Sequence, residues 1–375
     1  MIKQQEYRKR RQTLAQAMVA GAIAIIPATS EVLRNGDAHY RFRQDSDFFY
    51  LTGFTEPDAL LLISGVTGES ILFTLPKDEA KEQWTGLRLG QDDALSVLKV
   101  DKAYPLNELE NRFFELIAGH SAIYYPIGRY PLWETRILGA WNLLKQQARR
   151  GLKAPDVFYD VAPLLGEMRL FKSSEEIELM RKAAHISVSA HKRAMRACQN
   201  AQFEYELEAE LVYEFARQGC RSVAYDPIVA SGENACILHY TANNQSLSKD
   251  ALVLIDAGGE YAGYAADITR TFPANGEFSP EQRTLYNLVR KAHKAGIECV
   301  RPGCLFDDIQ QVMVRILTTG LVELGILKGN VDDLLANEAY SPFYMHRSGH
   351  WLGLDVHDCG SYRQNGAWRK LKPGM

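Results

Sequence analysis

The chain has 375 residues, of which 46% are hydrophobic and 24% are charged, a composition typical of a folded protein and unlike a disordered or fibrous one. Its 43 basic and 46 acidic residues give a net charge of −3, so it lacks the positive field that attracts nucleic acid. No apolar run approaches the roughly 18 residues that a membrane span needs. We therefore expect a globular chain, of two domains at this length, with neither nucleic acid nor membrane as a partner.

The first half of the sequence predicts a mixed α/β domain. Short apolar runs and helical periodicity predict, in chain order, a helix at Lys3–Met18, strands at Ala22–Ile26, Ala59–Ile63 and Ile71–Thr74, a helix at Leu106–Ile117, a strand at Ala122–Tyr125 and a helix at Glu134–Arg149. The periodicity weakens between Gly151 and Phe171. We place the domain boundary there, which gives an α/β domain at 1–170 and a second domain at 171–375.

Two capping signals organise the second half. Ser173 with Glu176 is typical of a capping box, and it predicts a helix that runs to about Cys198. Ser279 followed by Pro280 and Gln282 predicts another, which ends before Pro302. A further helix is expected at 204–218. The sequence thus predicts an α+β second domain.

A strand pair is expected between these helices. Leu252–Asp256 and the stretch after Tyr261 are strand-like, and Gly258-Gly259 between them indicates a hairpin turn. A plain hairpin centred near Gly259 and Glu260 would set Asp256 opposite about residue 263.

The six cysteines lie in the second half without a C-x-x-C spacing. Free buried thiols are therefore the better interpretation, and they favour the cytoplasm. A secretory signal is the alternative, because Arg8 to Arg11 precede a fairly apolar stretch that ends at Pro27. Gln12 and Gln16 interrupt that stretch and argue against a signal.

Two aspartates are the strongest candidates for a metal site. Asp256 directly follows an apolar strand, where its charge needs a partner, and Asp267 lies eleven positions later. Two carboxylates about 4 Å apart repel by about 4 kcal/mol at an effective dielectric of about 20, a cost that a shared cation reverses. In the alternative, Asp256 begins a turn and Asp267 pairs with Arg270. The spacing permits either arrangement, and convergence of the two aspartates requires further strand curvature.

Three of the nine histidines, His346, His350 and His357, fall within twelve residues. Neutral imidazole is a common metal ligand and also a proton donor near pH 7. Ser348-Gly349 disfavours a helix across the first pair. Each histidine alone is more often an ordinary surface or core residue, and His239 has no local partner that marks it as functional.

Several ordered motifs carry a resemblance to a known family. They are Arg43–Phe54, Trp84–Gln91, Ser231–Asn234 with Leu238–Tyr240, Leu254–Gly258, Asp267–Phe272 and Gly349–Asp358. In these motifs the chain resembles, over essentially its whole length, the bacterial Xaa-Pro aminopeptidases, also called aminopeptidase P, whose fold is shared by creatinase and prolidase.

The resemblance implies an α/β N-terminal domain followed by a pita-bread domain that encloses a dinuclear metal site. Asp256 is then expected to ligate one ion, Asp267 to bridge both, and His350 to ligate the other. The ions are expected to be Mn²⁺, with Co²⁺ or Zn²⁺ as substitutes, because carboxylate-rich ligand sets suit manganese.

The resemblance also implies the reaction. A metal-bridging hydroxide is expected to attack the bond before a proline in the second position of a peptide and so release the N-terminal residue. His239 and His346 are expected to contact the substrate and stabilise the tetrahedral intermediate, and His357 to bind near the leaving proline. Members of the family commonly form homo-oligomers, in which Trp84 could approach a neighbouring subunit's site.

The family's two remaining metal ligands are glutamates on later strands, and the sequence to Met375 does not contain them. We therefore expect a fragment whose pita-bread domain is truncated at its C-terminal end and binds metal poorly. Three alternatives remain. Prolidase cleaves dipeptides, a creatinase-like relative would lack the metal that Asp256 and Asp267 favour, and a non-catalytic binding protein would use the same scaffold.

Overall fold

The computed structural model describes all residues from 1 to 375, and they divide into two compact units, Met1–Arg169 and Leu170–Met375. The division lies one residue before the boundary expected from the sequence.

The first unit contains both strands and helices, mixed along the chain. Its elements are α1 (Gln4–Ala17), β1 (Ile23–Pro27), β2 (Leu33–Asn35), β3 (Ala38–His39), α2 (Ser46–Thr52), β4 (Leu60–Ser64), β5 (Ser70–Thr74), α3 (Glu79–Thr85), α4 (Gly90–Leu98), β6 (Lys102–Pro105), α5 (Leu109–Ile117), β7 (Ala122–Tyr125), α6 (Pro131–Gln146), β8 (Val157–Asp160) and α7 (Ala162–Leu170).

Six of these strands form one mixed sheet in the order β6-β5-β4-β1-β7-β8. The four central strands are almost entirely buried, and α5 and α6 contribute Phe113 and Leu144 to the core on the sheet. The predicted strands correspond to these four. The two edge strands were missed because most of their residues are exposed or half-buried, which leaves no apolar pattern to detect.

The second unit begins with two long helices that pack on small sheets. Its elements are α8 (Ser174–Ala197), α9 (Glu204–Arg217), β9 (Ser222–Val223), β10 (Ile228–Ser231), β11 (Leu252–Asp256), β12 (Gly259–Tyr261), β13 (Tyr264–Ala265), β14 (Thr269–Pro273), α10 (Pro280–Cys299), α11 (Phe306–Glu323), α12 (Val331–Ala336), β15 (Arg363–Gln364) and β16 (Ala367–Trp368).

Both predicted capping boxes are present. The Ser173 hydroxyl accepts from the Glu176 N–H while the Glu176 carboxylate accepts from the Ser173 N–H, and Ser279 and Gln282 repeat the exchange. Helices α8 and α9 pack against one another and, through Ile186, Leu211 and Phe215, against β11.

The predicted hairpin exists, but its turn was placed wrongly. The turn is at Ala262-Gly263, both with positive φ, and β11 pairs with β14 so that Asp256 lies opposite Thr269 rather than near residue 263. The glycines at 258 and 259 do not form the turn. They lie in one arm of the hairpin, where the absence of a side chain permits close contacts with neighbouring atoms.

The six cysteines are free thiols, of which Cys198, Cys220 and Cys304 are buried. Cys236 is exposed, so the expectation of buried thiols is wrong for it. No helix is both long and apolar enough to cross a bilayer.

Candidate metal centre

The register of the β11–β14 hairpin brings the two predicted aspartates together. Asp256 pairs with Thr269, and Glu260 pairs with Ala265, so between these pairs Gly258 falls opposite Asp267. Residues 256 and 258 share a face of the strand, which makes Asp267 the diagonal neighbour of Asp256 on that face. Pairing around the turn at Ala262-Gly263 brings the two aspartates together, and the strands are interrupted beside them, at 257–258 and 266–268.

Gly258 permits this approach because it has no side chain. A Cβ atom at this position would collide with the carbonyl oxygen of Ala266 and press on the backbone nitrogen of Asp267. Any other residue would therefore push the two arms apart at the point where the carboxylates meet.

A tyrosine joins the two carboxylates. The Tyr225 hydroxyl lies 2.5 Å from Oδ1 of Asp256 and 2.9 Å from Oδ1 of Asp267. Tyr225 lies in the turn between β9 and β10. No signal in the sequence marks it as functional, because neither its neighbours nor its spacing distinguishes it from a packing tyrosine.

His350 completes the cluster on the side of Asp267. Its Nε2 lies 3.0 Å from Oδ2 of Asp267, and its Nδ1 lies 2.9 Å from the carbonyl oxygen of Trp351. A carbonyl can only accept, so Nδ1 carries a proton and Nε2 is the nitrogen that faces the carboxylates. The alternative pairing of Asp267 with Arg270 is not formed, and the Arg270 guanidinium donates to the carbonyl of Thr269.

The contacts within the cluster shift the pKa values of its members in different directions. Burial raises the pKa of Asp256 above its ordinary value. Burial also acts to raise the pKa of Asp267, but hydrogen bonds from His350 and Tyr225 outweigh it and leave that pKa lowered. The hydrogen bond to Asp267 raises the pKa of His350. The arrangement thus keeps Asp267 ionised, as expected of a carboxylate that binds a cation.

The other predicted histidines lie around His350. The rings of His357 and His350 meet edge to face with centroids 4.3 Å apart. Burial, then the charge of His350, lowers the pKa of His357, and the charges of His346 and His239 act in the same direction. His239, His346 and His357 are all exposed, and Nδ1 of His346 bonds to the Arg347 carbonyl. His357 thus contacts His350 directly, whereas His239 and His346 are near enough to His357 to influence its pKa.

The donor set fits a divalent cation in kind, since it combines two carboxylates with an imidazole whose Nε2 faces them. The three side chains do not by themselves enclose an ion. No group of three or more histidine, cysteine, aspartate or glutamate side chains in the chain is arranged to hold a metal ion, so the set of ligands is partial.

Comparison with known proteins places the chain in a family. Residues 178–375 match the model of metallopeptidase family M24, and residues 7–124 match that of the aminopeptidase P N-terminal domain. The chain belongs to metallopeptidase family M24. The expected α/β N-terminal domain followed by a pita-bread domain is confirmed by this pair of matches.

Several known aminopeptidases resemble the chain over its whole length. The Xaa-Pro aminopeptidase of Escherichia coli is 46% identical over 377 residues, which cover all of this chain and 85% of that protein. The structure of Pseudomonas aeruginosa aminopeptidase PepP has a TM-score of 0.97 at 46% identity and is covered to 85%. A zinc-substituted E. coli aminopeptidase P in complex with product has a TM-score of 0.96 at 45% identity and is covered to 86%. The resemblance to Xaa-Pro aminopeptidases is confirmed, whereas this coverage does not support the expected truncation.

Proposed function

We propose that this M24 chain is a metal-dependent Xaa-Pro aminopeptidase that releases the N-terminal residue from peptides with proline in the second position. The observation that carries the proposal is the continuous contact from Asp256 through Tyr225 and Asp267 to His350, in a chain 46% identical to a known Xaa-Pro aminopeptidase.

The proposed metal ligands are Asp256, Asp267 and His350, and the proposed ion is Mn²⁺, with Co²⁺ or Zn²⁺ able to replace it. Hard carboxylate oxygens with one imidazole favour manganese over metals that prefer sulfur ligands. Divalent ions bound here supply Lewis-acid chemistry and lower the pKa of water toward 7.

The protein's own residues prepare this site. The Trp351 carbonyl holds the proton of His350 on Nδ1 and thereby leaves Nε2 as the ligating nitrogen. The Tyr225 hydroxyl fixes the orientation of the two carboxylates before any ion enters.

Three histidines are proposed to act on the substrate. The Xaa-Pro bond is a tertiary amide without an N–H. Its nitrogen, like that of any amide, must receive a proton to leave. His357 is proposed to bind near the leaving proline, and His239 and His346 to donate toward the negative charge that develops on the carbonyl oxygen. Donors of this kind contribute about 3 to 4 kcal/mol each.

The role of His346 is testable by His346→Ala. We expect turnover of an Xaa-Pro-Xaa peptide to fall by about 100- to 1,000-fold, because a donor to the transition state is lost. The manganese content, measured by atomic absorption, should hardly change, because His346 is not a proposed ligand. Full turnover by the variant would contradict this role.

The decisive experiment compares substrates and metal states. Chain stripped with EDTA should not cleave Ala-Pro-Ala, and Mn²⁺ should restore cleavage, while the dipeptide Gly-Pro should remain intact. Cleavage of Gly-Pro alone would identify a prolidase instead. A chain that binds no Mn²⁺ and cleaves neither peptide would be a non-catalytic binding protein on the same scaffold.

The setting of the enzyme is also proposed. We place it in the cytoplasm as a homo-oligomer, in which the Trp84 side chain, 89% exposed in the single chain, is covered by another subunit. Analytical ultracentrifugation of the wild-type chain and Trp84→Ala tests this arrangement. A monomer in both cases would contradict it.

A further inference from the structure

The loop that carries His239 has an exposed tip on a buried base. We define the His239 loop as residues 231–245, between β10 and β11. It leaves β10 at Ser231, makes a short 3-10 turn and exposes Ile237, Leu238 and His239 before Tyr240 returns to the interior. The Ile237 N–H bonds to the Asn234 carbonyl within the turn, and the contacts that join the loop to α9 lie at its base.

A single carboxylate binds both sides of that base. Glu204, the first residue of α9, is 0% exposed. Its Oε1 accepts from the Ser231 N–H at 2.8 Å and from Nδ2 of Asn234 at 3.0 Å, on the outgoing side. Its Oε2 accepts from the Tyr240 hydroxyl at 2.7 Å and from the Gln245 N–H at 3.0 Å, on the returning side.

Backbone pairing adds to the same junction. The Glu204 N–H donates to the Gln245 carbonyl at 3.0 Å, and the Leu247 N–H donates to the Gln202 carbonyl at 2.8 Å. The returning arm is therefore attached to the start of α9 by the main chain. The outgoing arm, at Ser231 and Asn234, reaches α9 through the Glu204 side chain.

The chemistry of the four partners requires a carboxylate. All four are donors, and a carboxylate has two accepting oxygens that can each take two hydrogen bonds. An amide of the same shape has one accepting oxygen, and its NH₂ group would face a backbone N–H. Burial of a carboxylate costs free energy unless hydrogen-bond donors satisfy its oxygens. The buried Glu204 carboxylate is therefore stable at this position only as the acceptor for both arms of the loop.

We propose that Glu204 is a positioning residue that fixes the His239 loop and so holds His239 at the candidate site. The proposal rests on the proposed function, in which His239 contacts the substrate. Glu204 itself touches no reacting atom and acts only through the loop.

Glu204→Gln tests the proposal against Glu206→Gln. Both variants remove one negative charge from the first turn of α9, but the Glu206 carboxylate accepts only from the Gln202 N–H and does not touch the loop. Amide hydrogen exchange of residues 231–245 is measured by mass spectrometry, and kcat and KM are measured with Ala-Pro-Ala on the manganese-loaded chain.

We expect exchange in the His239 loop to increase about tenfold in Glu204→Gln, as expected when a local structural unit opens more readily. We expect kcat to fall by about 100-fold, as a displacement of about 1 Å at a reacting centre can cause, with KM changed little. Glu206→Gln should resemble the wild type in both measurements. Should Glu204→Gln fail to fold, Tyr240→Phe removes one of the four donors and should give a smaller change of the same kind.

Each alternative outcome is informative. Equal exchange in the two glutamine variants would show that Glu204 does not fix the loop. Faster exchange with unchanged kcat would show that the loop is fixed without positioning His239 for catalysis. A wild-type chain that cleaves no Xaa-Pro peptide would overturn the proposed function, and the exchange measurement would still decide whether Glu204 holds the loop.

Discussion

At the scale of single residues, Tyr225 places one donor between two acceptors. Its hydroxyl has a single proton, yet oxygens of both Asp256 and Asp267 lie within hydrogen-bonding distance. Burial and the two nearby carboxylates raise the pKa of Tyr225, so the proton stays on its oxygen. The hydroxyl can therefore donate to either carboxylate, one at a time, and it stays neutral and does not become a phenolate ligand of the cation.

Tyr225→Phe should weaken metal binding while leaving the carboxylates in the chain. We expect the affinity for Mn²⁺ to fall by about 10- to 100-fold, as is usual when a group that orients a ligand is lost. Isothermal titration calorimetry measures the change, with Tyr261→Phe in the same unit as the control. Equal affinities in the two variants would show that the Tyr225 hydroxyl has no part in the site.

A buried histidine should make stability depend on pH. His191 on α8 donates from Nε2 to the Ala257 carbonyl at 3.0 Å, and burial, with a contribution from the charge of Arg270, lowers its pKa below 6.5. Below pH 6.5 His191 therefore binds a proton in the unfolded chain but remains neutral in the folded chain. Stability is lost as the pH falls from the unfolded pKa toward the folded one.

Replacing this histidine should reduce the pH dependence. In His191→Gln, the free energy of unfolding in urea should fall less between pH 7.5 and pH 5.5 than in the wild type. His185→Gln, an exposed position on the same helix, is the control. An unchanged slope in His191→Gln would mean that this residue does not cause the dependence.

At the scale of secondary-structure elements, α8 combines a local signal with a tertiary contact. Its capping residue Glu176 accepts not only from the Ser173 N–H but also, at 2.9 Å, from the hydroxyl of Tyr264 on β13. The start of the helix is therefore tied to the hairpin that carries the two aspartates.

Ser173→Ala should destabilise the second unit through the helix start. Loss of the bond between the serine hydroxyl and the Glu176 N–H should lower the free energy of unfolding by about 1 kcal/mol. Ser189→Ala is a matched control, because that hydroxyl bonds only to the His185 carbonyl one turn earlier in the same helix. Urea denaturation of both variants measures the difference, and equal losses would mean that the cap contributes nothing specific.

At the scale of the whole molecule, metal binding and folding of the second unit should be linked. An ion that binds only the folded state stabilises it by about 2.7 kcal/mol when its free concentration is 100 times its Kd. Mn²⁺ should therefore slow exchange of the amides at 252–273, which span the hairpin, more than those of the first unit. Asp267→Asn should abolish the effect, whereas equal protection of both units would argue against a site in the hairpin.

Features that depend on a few neighbouring residues were determined by the sequence alone. Both capping boxes, the four central strands of the large sheet and the identity of Asp256, Asp267 and His350 as candidates belong to this class. A capping box needs only residues three positions apart, and a buried strand needs only its own apolar run, so their signals are local.

Features that join distant parts of the chain were decided only by the tertiary structure. Tyr225 meets Asp256 and Asp267 across 31 and 42 positions, and His350 meets Asp267 across 83. These contacts follow from the turn at Ala262-Gly263 and from the packing of separate segments, and neither leaves a local pattern. The sequence thus named most of the groups that can bind a cation, and the fold decided that they meet and which tyrosine joins them.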